Sequence, residues 1–452
     1  MDLQFIGATG TVSGSKYLLR DGYRQILVDC GLFQGYKQLR LRNWSRLPVD
    51  PQTLDAVLLT HAHIDHSGYL PLLVRNGFRG RIYCTPATRD LSEVMLPDSA
   101  RLQEEEAEYA NRQGFSKHKP ALPLYTEMDA MHCLRQFVTV DFGREIDLGD
   151  GVHASFLPAG HLLGAAMLMV RGQHGTVLFS GDLGRPNDVL MNPPTPIPPA
   201  DFVVVESTYG NRTHAPEDPR IKLADVVNRT AERKGVVIIP SFAVGRAQAV
   251  LYCLSQLKRQ RLIPDIPVFL NSPMAVDATQ IFRRHPGEHR LTPAECEALY
   301  GTAKFVHTVE ESKALNRRDG PMIIIAGSGM ATGGRVVHHL KAFLPEPRNT
   351  VLFTGFQAGG TRGATMMAGA TSVKIHGEYV PVRAEVAMID NFSAHADSDE
   401  IMAWLRGSAK PPRNIFITHG EPAAADALRH RIEEELHWPC QVPDYLERVP
   451  LA

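Results

Sequence analysis

Short apolar runs separated by glycine-rich turns fill the first part of the chain. Three of these runs lie at residues 3–6, 16–19 and 25–29, and a fourth at residues 56–60 leads directly into His61. Short apolar runs that are bounded by turn residues are typical of β-strands. The pattern therefore predicts a β-rich N-terminal region whose fourth strand ends at a histidine.

The strand pattern continues further along the chain, again with polar residues at the strand ends. Residues 152–157 and 165–170 flank the turn that contains His161, as the two arms of a hairpin do. Two later apolar runs end close to Asp182 and at Glu206. These side chains are candidates for chemistry, because a strand end fixes the position of the residue that follows it.

The pattern of apolar and polar positions changes near Ser207. From there to about Val380 the chain repeats a strand–loop–helix unit. The apolar runs of these units lie at residues 236–239, 268–270 and 322–325. Consecutive units of this kind predict a parallel sheet flanked by helices, and so a second α/β domain. Two further units place His395 and His419 just beyond strand ends, where open α/β sheets bind ligands.

Composition agrees with a globular protein, and the charge balance limits how the protein could bind a polyanion. The chain has 452 residues, which suggests two domains or one domain with a large insertion. Its formal net charge is -1, so a global basic field that attracts nucleic acid is excluded. A polyanionic substrate would have to be held locally, by a basic cleft or by bound metal.

Cysteine usage and the N-terminal sequence bear on location. The six cysteines are scattered without a Cys-x-x-Cys pair, which indicates buried thiols in a reducing compartment. The N-terminus has neither a basic nor an apolar segment of the kind that a signal peptide needs. The apolar runs are too short to span a bilayer. We therefore expect no membrane association and a cytoplasmic location.

The strongest chemical signal is the loop His61-Ala62-His63-Ile64-Asp65-His66, which directly follows an apolar strand. Three imidazoles and one carboxylate in such a loop can turn towards a single point. These ligands suit zinc and, less selectively, manganese or iron. The alternative is an exposed histidine-rich loop, but such loops seldom lie at a strand–turn–helix junction in this order.

Three further candidate ligands recur at strand ends, namely His161, Asp182 and His419. Each alone is a weak signal, because a lone histidine is more often a core or surface residue and a Gly-Asp pair is more often a turn. Together with the loop at His61 they supply seven nitrogen and oxygen ligands. That number is enough for two metal ions if one carboxylate bridges them.

The order of these residues resembles that of the metallo-β-lactamase superfamily. The resemblance implies an αββα sandwich and two zinc ions per chain, with manganese as the alternative metal. It assigns His61, His63 and His161 to one ion, Asp65, His66 and His419 to the other, and Asp182 to both. Asp29 matches the family's early aspartate, which orients the histidine loop. An aspartate that caps a turn is the alternative reading of Asp29.

Three more matches resemble the β-CASP group, in which an α/β domain is inserted before the last metal histidine. They are Glu206 in Val205-Glu206-Ser207-Thr208, His395 in Ser393-Ala394-His395-Ala396, and His419 in Thr418-His419-Gly420. The resemblance implies a metallo-β-lactamase domain made of residues 1–207 and 382–452 and a β-CASP domain at 208–381. It is strongest with bacterial and archaeal relatives of the mRNA 3′-end cleavage subunit, and a histidine at the third motif is typical of RNA-specific members.

The function that the resemblance implies is a zinc-dependent endonuclease of single-stranded RNA, with 5′-exonuclease trimming left open. Asp65 would take or relay the proton of the attacking water. His395 would protonate the leaving ribose oxygen, and Glu206 would fix the tautomer of His395. The alternative for His395 is a surface residue at the start of a helix.

Five residues of the second domain are candidates for holding RNA phosphates. Ser328 and Gly329 lie in a glycine-rich loop before a helix, and Arg246, Arg362 and Lys374 could form a local basic track. Individually, each basic residue is better explained as an ordinary surface charge. Single-stranded RNA is the expected partner, and a homodimer is left open.

Two other functions are compatible with the same ligands. A small-molecule hydrolase, such as a thioesterase or lactonase, would use the same metal site, but it gives no role to Glu206, His395 or the second domain. A non-catalytic RNA-binding subunit is the other alternative. It is disfavoured because every expected ligand is present.

Overall fold

The computed structural model describes residues 1–114 and 116–451, which fold as two compact units. The first unit comprises Met1–Thr213 and His395–Ala452, and the second comprises His214–Ala394. The second unit is thus inserted into the first.

Two seven-stranded sheets form the first unit. The first sheet has the order β22-β1-β2-β3-β4-β5-β6, and its strands are β1 (Asp2–Phe5), β2 (Tyr17–Asp21), β3 (Arg24–Val28), β4 (Ala56–Leu58), β5 (Arg81–Cys84), β6 (Phe137–Thr139) and β22 (Arg448–Pro450). The second has the order β21-β20-β11-β10-β9-β8-β7, and its strands are β7 (Glu145–Gly149), β8 (Val152–Pro158), β9 (Ala166–Gly172), β10 (Gly175–Phe179), β11 (Phe202–Glu206), β20 (Asn414–Thr418) and β21 (Cys440–Gln441).

Alternation along the strands of the first sheet divides its side chains between two apolar layers. Leu19 and Val28 face the second sheet, where they share a core with Phe156 and Phe416. Leu18, one residue along from Leu19, joins a separate layer beneath the helices. Because successive side chains of a strand point to opposite faces, the run of leucines in β2 supplies both layers.

Helices cover the outer faces of the two sheets. On the first sheet they are α2 (Ile64–Ser67), α3 (Leu70–Arg75), α4 (Pro86–Gln113) and α5 (Glu127–Leu134), while α1 (Lys37–Arg42) follows β3. Further helices are α13 (Ser398–Arg406) and α14 (Pro422–Arg431), of which α14 contacts β20. The predicted αββα sandwich is confirmed.

The inserted unit is built on a six-stranded, all-parallel sheet of order β14-β13-β15-β12-β16-β19. Its strands are β12 (Val236–Pro240), β13 (Val268–Asn271), β14 (Lys304–Phe305), β15 (Met322–Ala326), β16 (Thr350–Phe353) and β19 (Glu385–Met388), with a hairpin of β17 (Ser372–Ile375) and β18 (Glu378–Pro381). Its helices are α6 (Pro219–Glu232), α7 (Arg246–Arg259), α8 (Pro273–Arg284), α9 (Pro293–Thr302), α10 (Val309–Leu315), α11 (Arg335–Phe343) and α12 (Arg362–Met367). The predicted α/β insertion is confirmed.

The boundary between residues 381 and 382 stays a prediction, and the compact inserted unit itself extends to Ala394. The strand β19 pairs in parallel with β16 and closes the edge of the inserted sheet. Sequence alone shows a strand followed by a histidine, but not which sheet the strand joins. The earlier boundary, predicted at 207/208, lies at 213/214 in the structure.

The helix α4 contains Pro97 and runs through it without interruption. A proline removes one helical hydrogen bond, but the remaining bonds and the burial of an apolar face can carry a helix through it. Leu91, Leu96 and Ala100 supply that buried face. Among the described residues, none of the helices combines the length and apolar character needed to cross a bilayer.

Candidate metal centre

The candidate ligands other than His161 converge because they follow the carboxyl ends of parallel strands, while His161 follows the antiparallel strand β8. In the first sheet, β3 and β4 are parallel neighbours, and they lead into Asp29 and into the loop from His61 to His66. In the second sheet, β10, β11 and β20 are parallel neighbours, and they lead into Asp182, Ser207 and His419. Parallel strands present their carboxyl ends at one edge, so each sheet gathers its polar residues there.

One group of ligand atoms comes from His61, His63, His161 and Asp182, and these atoms all lie within 4.8 Å of one another. His63 Nδ1 lies 3.2 Å from His61 Nε2 and 3.3 Å from His161 Nε2. Asp182 Oδ2 lies 3.4 Å from His61 Nε2 and 3.5 Å from His161 Nε2. Ligands placed about 2.0–2.1 Å from a tetrahedral zinc ion are themselves about 3.3 Å apart. The spacing of these four atoms therefore fits a single zinc ion.

A second group lies on the other side of Asp182. His66 Nε2 is 3.1 Å from Asp182 Oδ1 and 3.1 Å from His419 Nε2, and the latter is 3.5 Å from Asp65 Oδ2. The carboxylate of Asp182 thus presents one oxygen to each group. A carboxylate in this position can bridge two cations, so the seven residues have the composition and spacing of a two-metal site.

Burial decides the charge states within the first group. Removal from water disfavours the charged imidazole, which lowers the pKa of His63 to about 3 and the pKa values of His61 and His161 below their usual range. A neutral imidazole has the free lone pair that metal ligation requires. These three histidines are therefore in the ligating form at neutral pH.

Asp182 and His66, in contrast to the three neutral histidines, favour their charged forms. Burial works against the charge of Asp182, but the neighbouring His419 and His66 hold the pKa of Asp182 well below its usual value. Burial also opposes a charge on His66, yet Asp182 and Asp29 raise the pKa of His66 well above its normal range. Two buried carboxylates thus draw a proton onto His66, and a cation in the second group would replace that proton.

Hydrogen bonds on the side away from the site fix which ring nitrogen of His61, His66 and His419 faces the site. Asp29 accepts from the Thr60 backbone N–H at 2.8 Å, and its other oxygen lies 2.7 Å from His66 Nδ1. The Thr60 hydroxyl lies 3.0 Å from His61 Nδ1, and the Thr208 hydroxyl lies 3.0 Å from His419 Nδ1. Each of these contacts leaves the Nε2 atom for the site.

Thr60 and Thr208 were missed by the sequence reasoning. Their positions next to His61 and two residues after Glu206 were the available signals. A threonine beside a ligand is common in loops, so neither position is distinctive without the structure.

Glu206 and His395 form a pair at the edge of the ligand cluster. Both oxygens of Glu206 lie 3.1 Å from His395 Nδ1, and one of them also accepts the Leu183 backbone N–H at 2.6 Å. His395 Nε2 then lies 3.9 Å from Asp182 Oδ2. The carboxylate of Glu206 is fully buried, while His395 keeps some contact with solvent. The Nε2 atom of His395 therefore faces the candidate metal site.

The residues predicted to hold RNA phosphates all lie in the inserted unit, away from the ligand cluster in sequence. Ser328 and Gly329 are in the loop after β15, and Arg246 begins α7. The Arg362 guanidinium donates to the carbonyl oxygens of Ala331 and, at 3.0 Å, Lys374. The Lys374 side chain is exposed on β17. Phosphate binding by these five residues stays a prediction.

Three family models match the chain. The metallo-beta-lactamase superfamily matches residues 9–215, the Beta-Casp domain matches 247–366, and a Zn-dependent metallo-hydrolase RNA specificity domain matches 379–443. The third match includes His395 and His419. All three therefore agree in order with the inserted architecture.

Several characterised proteins are similar over most of the chain. Ribonuclease TTHA0252 of Thermus thermophilus is 40% identical over 93% of this chain and 94% of its own length. The transcription termination factor FttA of Methanosarcina mazei is 32% identical over 99% of this chain and 71% of its own length. A solved structure from Enterococcus faecalis V583 covers 99% of both chains with a TM-score of 0.54 and 13% identity, which supports the fold alone.

Proposed function

This chain belongs to the β-CASP group of the metallo-β-lactamase superfamily and is a metal-dependent hydrolase of RNA; from this premise we propose that it is an endonuclease of single-stranded RNA that uses two zinc ions. The observation that carries the proposal is the carboxylate of Asp182. Its two oxygens face two separate ligand groups, and each group contains histidines that can ligate a metal ion.

The metal ions and the ligands have separate tasks in this proposal. When bound, two cations polarise the scissile phosphate and lower the pKa of an attacking water. Asp65 belongs to the second group and lies 3.5 Å from His419, in position to accept the proton that the water loses. Manganese is the alternative metal, since its ligand preferences overlap with those of this site.

His395 and Glu206 complete the reaction on the leaving-group side. Hydrolysis of a phosphodiester requires a proton on the departing ribose oxygen. His395 can supply it from Nε2, because Glu206 accepts a hydrogen bond from Nδ1–H and stabilises the charged ring. A thioesterase would have no use for this pair, which is why we rank the small-molecule hydrolase second.

A substrate panel tests the proposal directly. Metal-loaded protein is incubated with an unstructured RNA, a DNA of the same sequence and an acyl thioester. We expect cleavage of the RNA alone, with internal products from a substrate blocked at its 5′ end. Equal cutting of RNA and DNA would remove the RNA assignment. Thioester turnover without RNA cleavage would favour the small-molecule hydrolase, and cutting only from a free 5′ end would make the enzyme an exonuclease.

A role in transcription termination is a second candidate, since the relatives named FttA are 28–34% identical to this chain. The chain spans 71% of the Methanosarcina protein and 62% of the Pyrococcus abyssi protein. Release of a nascent RNA from a stalled RNA polymerase complex by this protein, and its absence in an inactive variant, would support this role.

A further inference from the structure

A basic and aromatic segment follows β3 in the first unit. Between Asp29 and Asp50 the chain contains one lysine and three arginines but neither aspartate nor glutamate. The whole protein has a formal net charge of -1, so this run is locally far more basic than its surroundings. We call residues 36–46, which include α1, the basic–aromatic segment.

Large apolar side chains of this segment are turned towards solvent. Tyr36 is 57% exposed, Trp44 is 59% exposed and Leu41 is 54% exposed. The helix α1 buries none of its residues. These side chains therefore add nothing to the core, and their exposure costs free energy unless a partner covers them.

The segment is held in shape by two of its own residues. The side chain of Asn43 is buried and exchanges two hydrogen bonds with the backbone of Phe33, at 2.9 and 2.8 Å. Arg42 stacks over the ring of Tyr445, with 4.0 Å between its guanidinium carbon and the ring centroid. The exposed aromatic side chains thus project from an anchored loop.

The segment is continuous with the metal loop. The residues that precede it bond to the backbone of the metal loop, with Cys30 N–H donating to His66 at 2.7 Å and Leu32 N–H donating to Ile64 at 2.9 Å. Gly31 lies between them, and a methyl group added at Gly31 would fall 1.6 Å from the carbonyl oxygen of Asp65. The basic–aromatic segment therefore begins four residues after a backbone contact with the loop that carries the metal ligands.

The cations of the segment are available for a ligand. In the part of the chain that the structure describes, neither Lys37 nor Arg46 forms an ion pair with a carboxylate, and both are exposed. Exposed aromatic rings interleaved with unpaired cations are the means by which proteins grip single-stranded nucleic acid, through base stacking and phosphate contacts. A protein partner would not need the excess of positive charge.

We propose that the basic–aromatic segment binds the RNA strand beside the metal centre, with Tyr36 and Trp44 stacking on bases and Lys37 and Arg46 contacting phosphates. This inference rests on the proposed function, because it assumes that RNA is the substrate. It assigns substrate binding to residues outside the metal ligands and outside the inserted unit.

The test measures binding of a fluorescent unstructured RNA by anisotropy and cleavage of the same RNA. The variants are Tyr36→Ala, Trp44→Ala, Trp44→Phe and Lys37→Ala, and their metal content and melting temperature are measured alongside. We expect Trp44→Ala to weaken binding by roughly 5- to 150-fold, the range for loss of one stacked base, while Trp44→Phe keeps most of the affinity. Lys37→Ala should reduce the dependence of log Kd on log salt by about 0.7, the value for one single-strand phosphate contact.

Two matched controls lie in the same unit. Tyr23 is 93% exposed in the turn between β2 and β3, and Arg144 is exposed before β7. Tyr23→Ala and Arg144→Ala should bind and cleave RNA as the wild type does. Equal RNA affinity in Tyr36→Ala, Trp44→Ala and the wild type would overturn the inference and leave the surface to a protein partner. If the wild-type protein cleaves no RNA, the proposed function fails, whereas the anisotropy still decides the role of the segment.

Discussion

The loop after β4 and the loop after β15 hold equivalent places in the two units, but their polar groups face different partners. Each follows a buried strand and precedes a helix. In the loop after β4, nitrogens of His61 and His63 lie 3.2 Å apart and share a centre with other ligands. In the loop after β15, the Ser328 hydroxyl lies 3.1 Å from that of Thr332, and Gly329 accepts a hydrogen bond from Gln357.

The difference comes from what lies behind each loop. Behind the first is the buried carboxylate of Asp29, which bonds to Thr60 and His66 and turns the rings away from itself. Behind the second is the ring of Phe242, and a methyl group added at Gly329 would lie 2.6 Å from it. A phenyl ring offers no strong acceptor, and the polar groups of that loop bond instead to Thr332 within the loop and to Gln357 outside it. A strand-end loop becomes a ligand site when a buried polar layer supports it.

Loss of the bridging carboxylate of Asp182 should impair the candidate metal centre, which the loop after β4 helps to form, more than any other change. Asp182→Asn keeps the shape but removes the negative charge that the two cations would share. We expect RNA cleavage to fall at least about a thousandfold, because several kcal/mol of charge stabilisation are lost. Metal per chain is measured by elemental analysis alongside kcat. The exposed Asp141→Asn is the control, and an Asp182→Asn enzyme with two metals and normal kcat would contradict the bridging role.

Removal of the candidate general acid should have the next largest effect. We expect His395→Ala to lower kcat for RNA by roughly 10²–10³-fold, the usual worth of a positioned proton donor. Metal content should not change. A phosphodiester with a p-nitrophenolate leaving group needs no proton, so its turnover should fall much less. Glu206→Gln should show the same selectivity in weaker form, and an equal loss on both substrates would point to a structural role for the pair.

The supporting layer itself can be tested at Asp29. Asp29→Asn removes the charge behind His66 while it keeps the size of the side chain. We expect metal affinity to fall by about 10–100-fold, as is typical when a partner of a ligating histidine is lost. Competition with a chromogenic chelator measures this change. Unaltered affinity would mean that backbone geometry alone orients the histidine loop, and the comparison of the two loops would lose its physical basis.

The smallest effect is expected in the second loop. Ser328→Ala should weaken RNA binding by no more than about tenfold, the value of one neutral hydrogen bond. Gly329→Ala should instead lower the free energy of unfolding by about 1–3 kcal/mol, because the added methyl group overlaps the ring of Phe242. Thermal melting and RNA anisotropy separate the two effects. A much larger loss of RNA binding in Ser328→Ala would make this loop a primary substrate contact.

Sequence reasoning was strongest where chemistry and strand ends coincide. The ligand types at His61, His161 and His419 follow from imidazoles placed just beyond apolar runs, and the structure brings these side chains together. It was weakest where partners are distant in sequence. The predicted boundary leaves β19 outside the inserted domain, whereas β19 pairs with β16 of the inserted sheet, and that pairing leaves no mark in the local pattern. Likewise, proline is typical of a helix break, but α4 continues through Pro97.

The amino-acid order by itself determined the two-part architecture, the ligand residue types and their place at strand ends, because hydrophobic periodicity and side-chain chemistry are local properties. Tertiary structure alone decided which atom of each ring faces the centre. His63 offers Nδ1, whereas His61, His66, His161 and His419 offer Nε2. That choice is made for His61, His66 and His419 by Thr60, Asp29 and Thr208, whose hydrogen bonds join segments up to 211 residues apart. The contacts to His66 and His419 join residues 37 and 211 apart, and no local pattern can encode them.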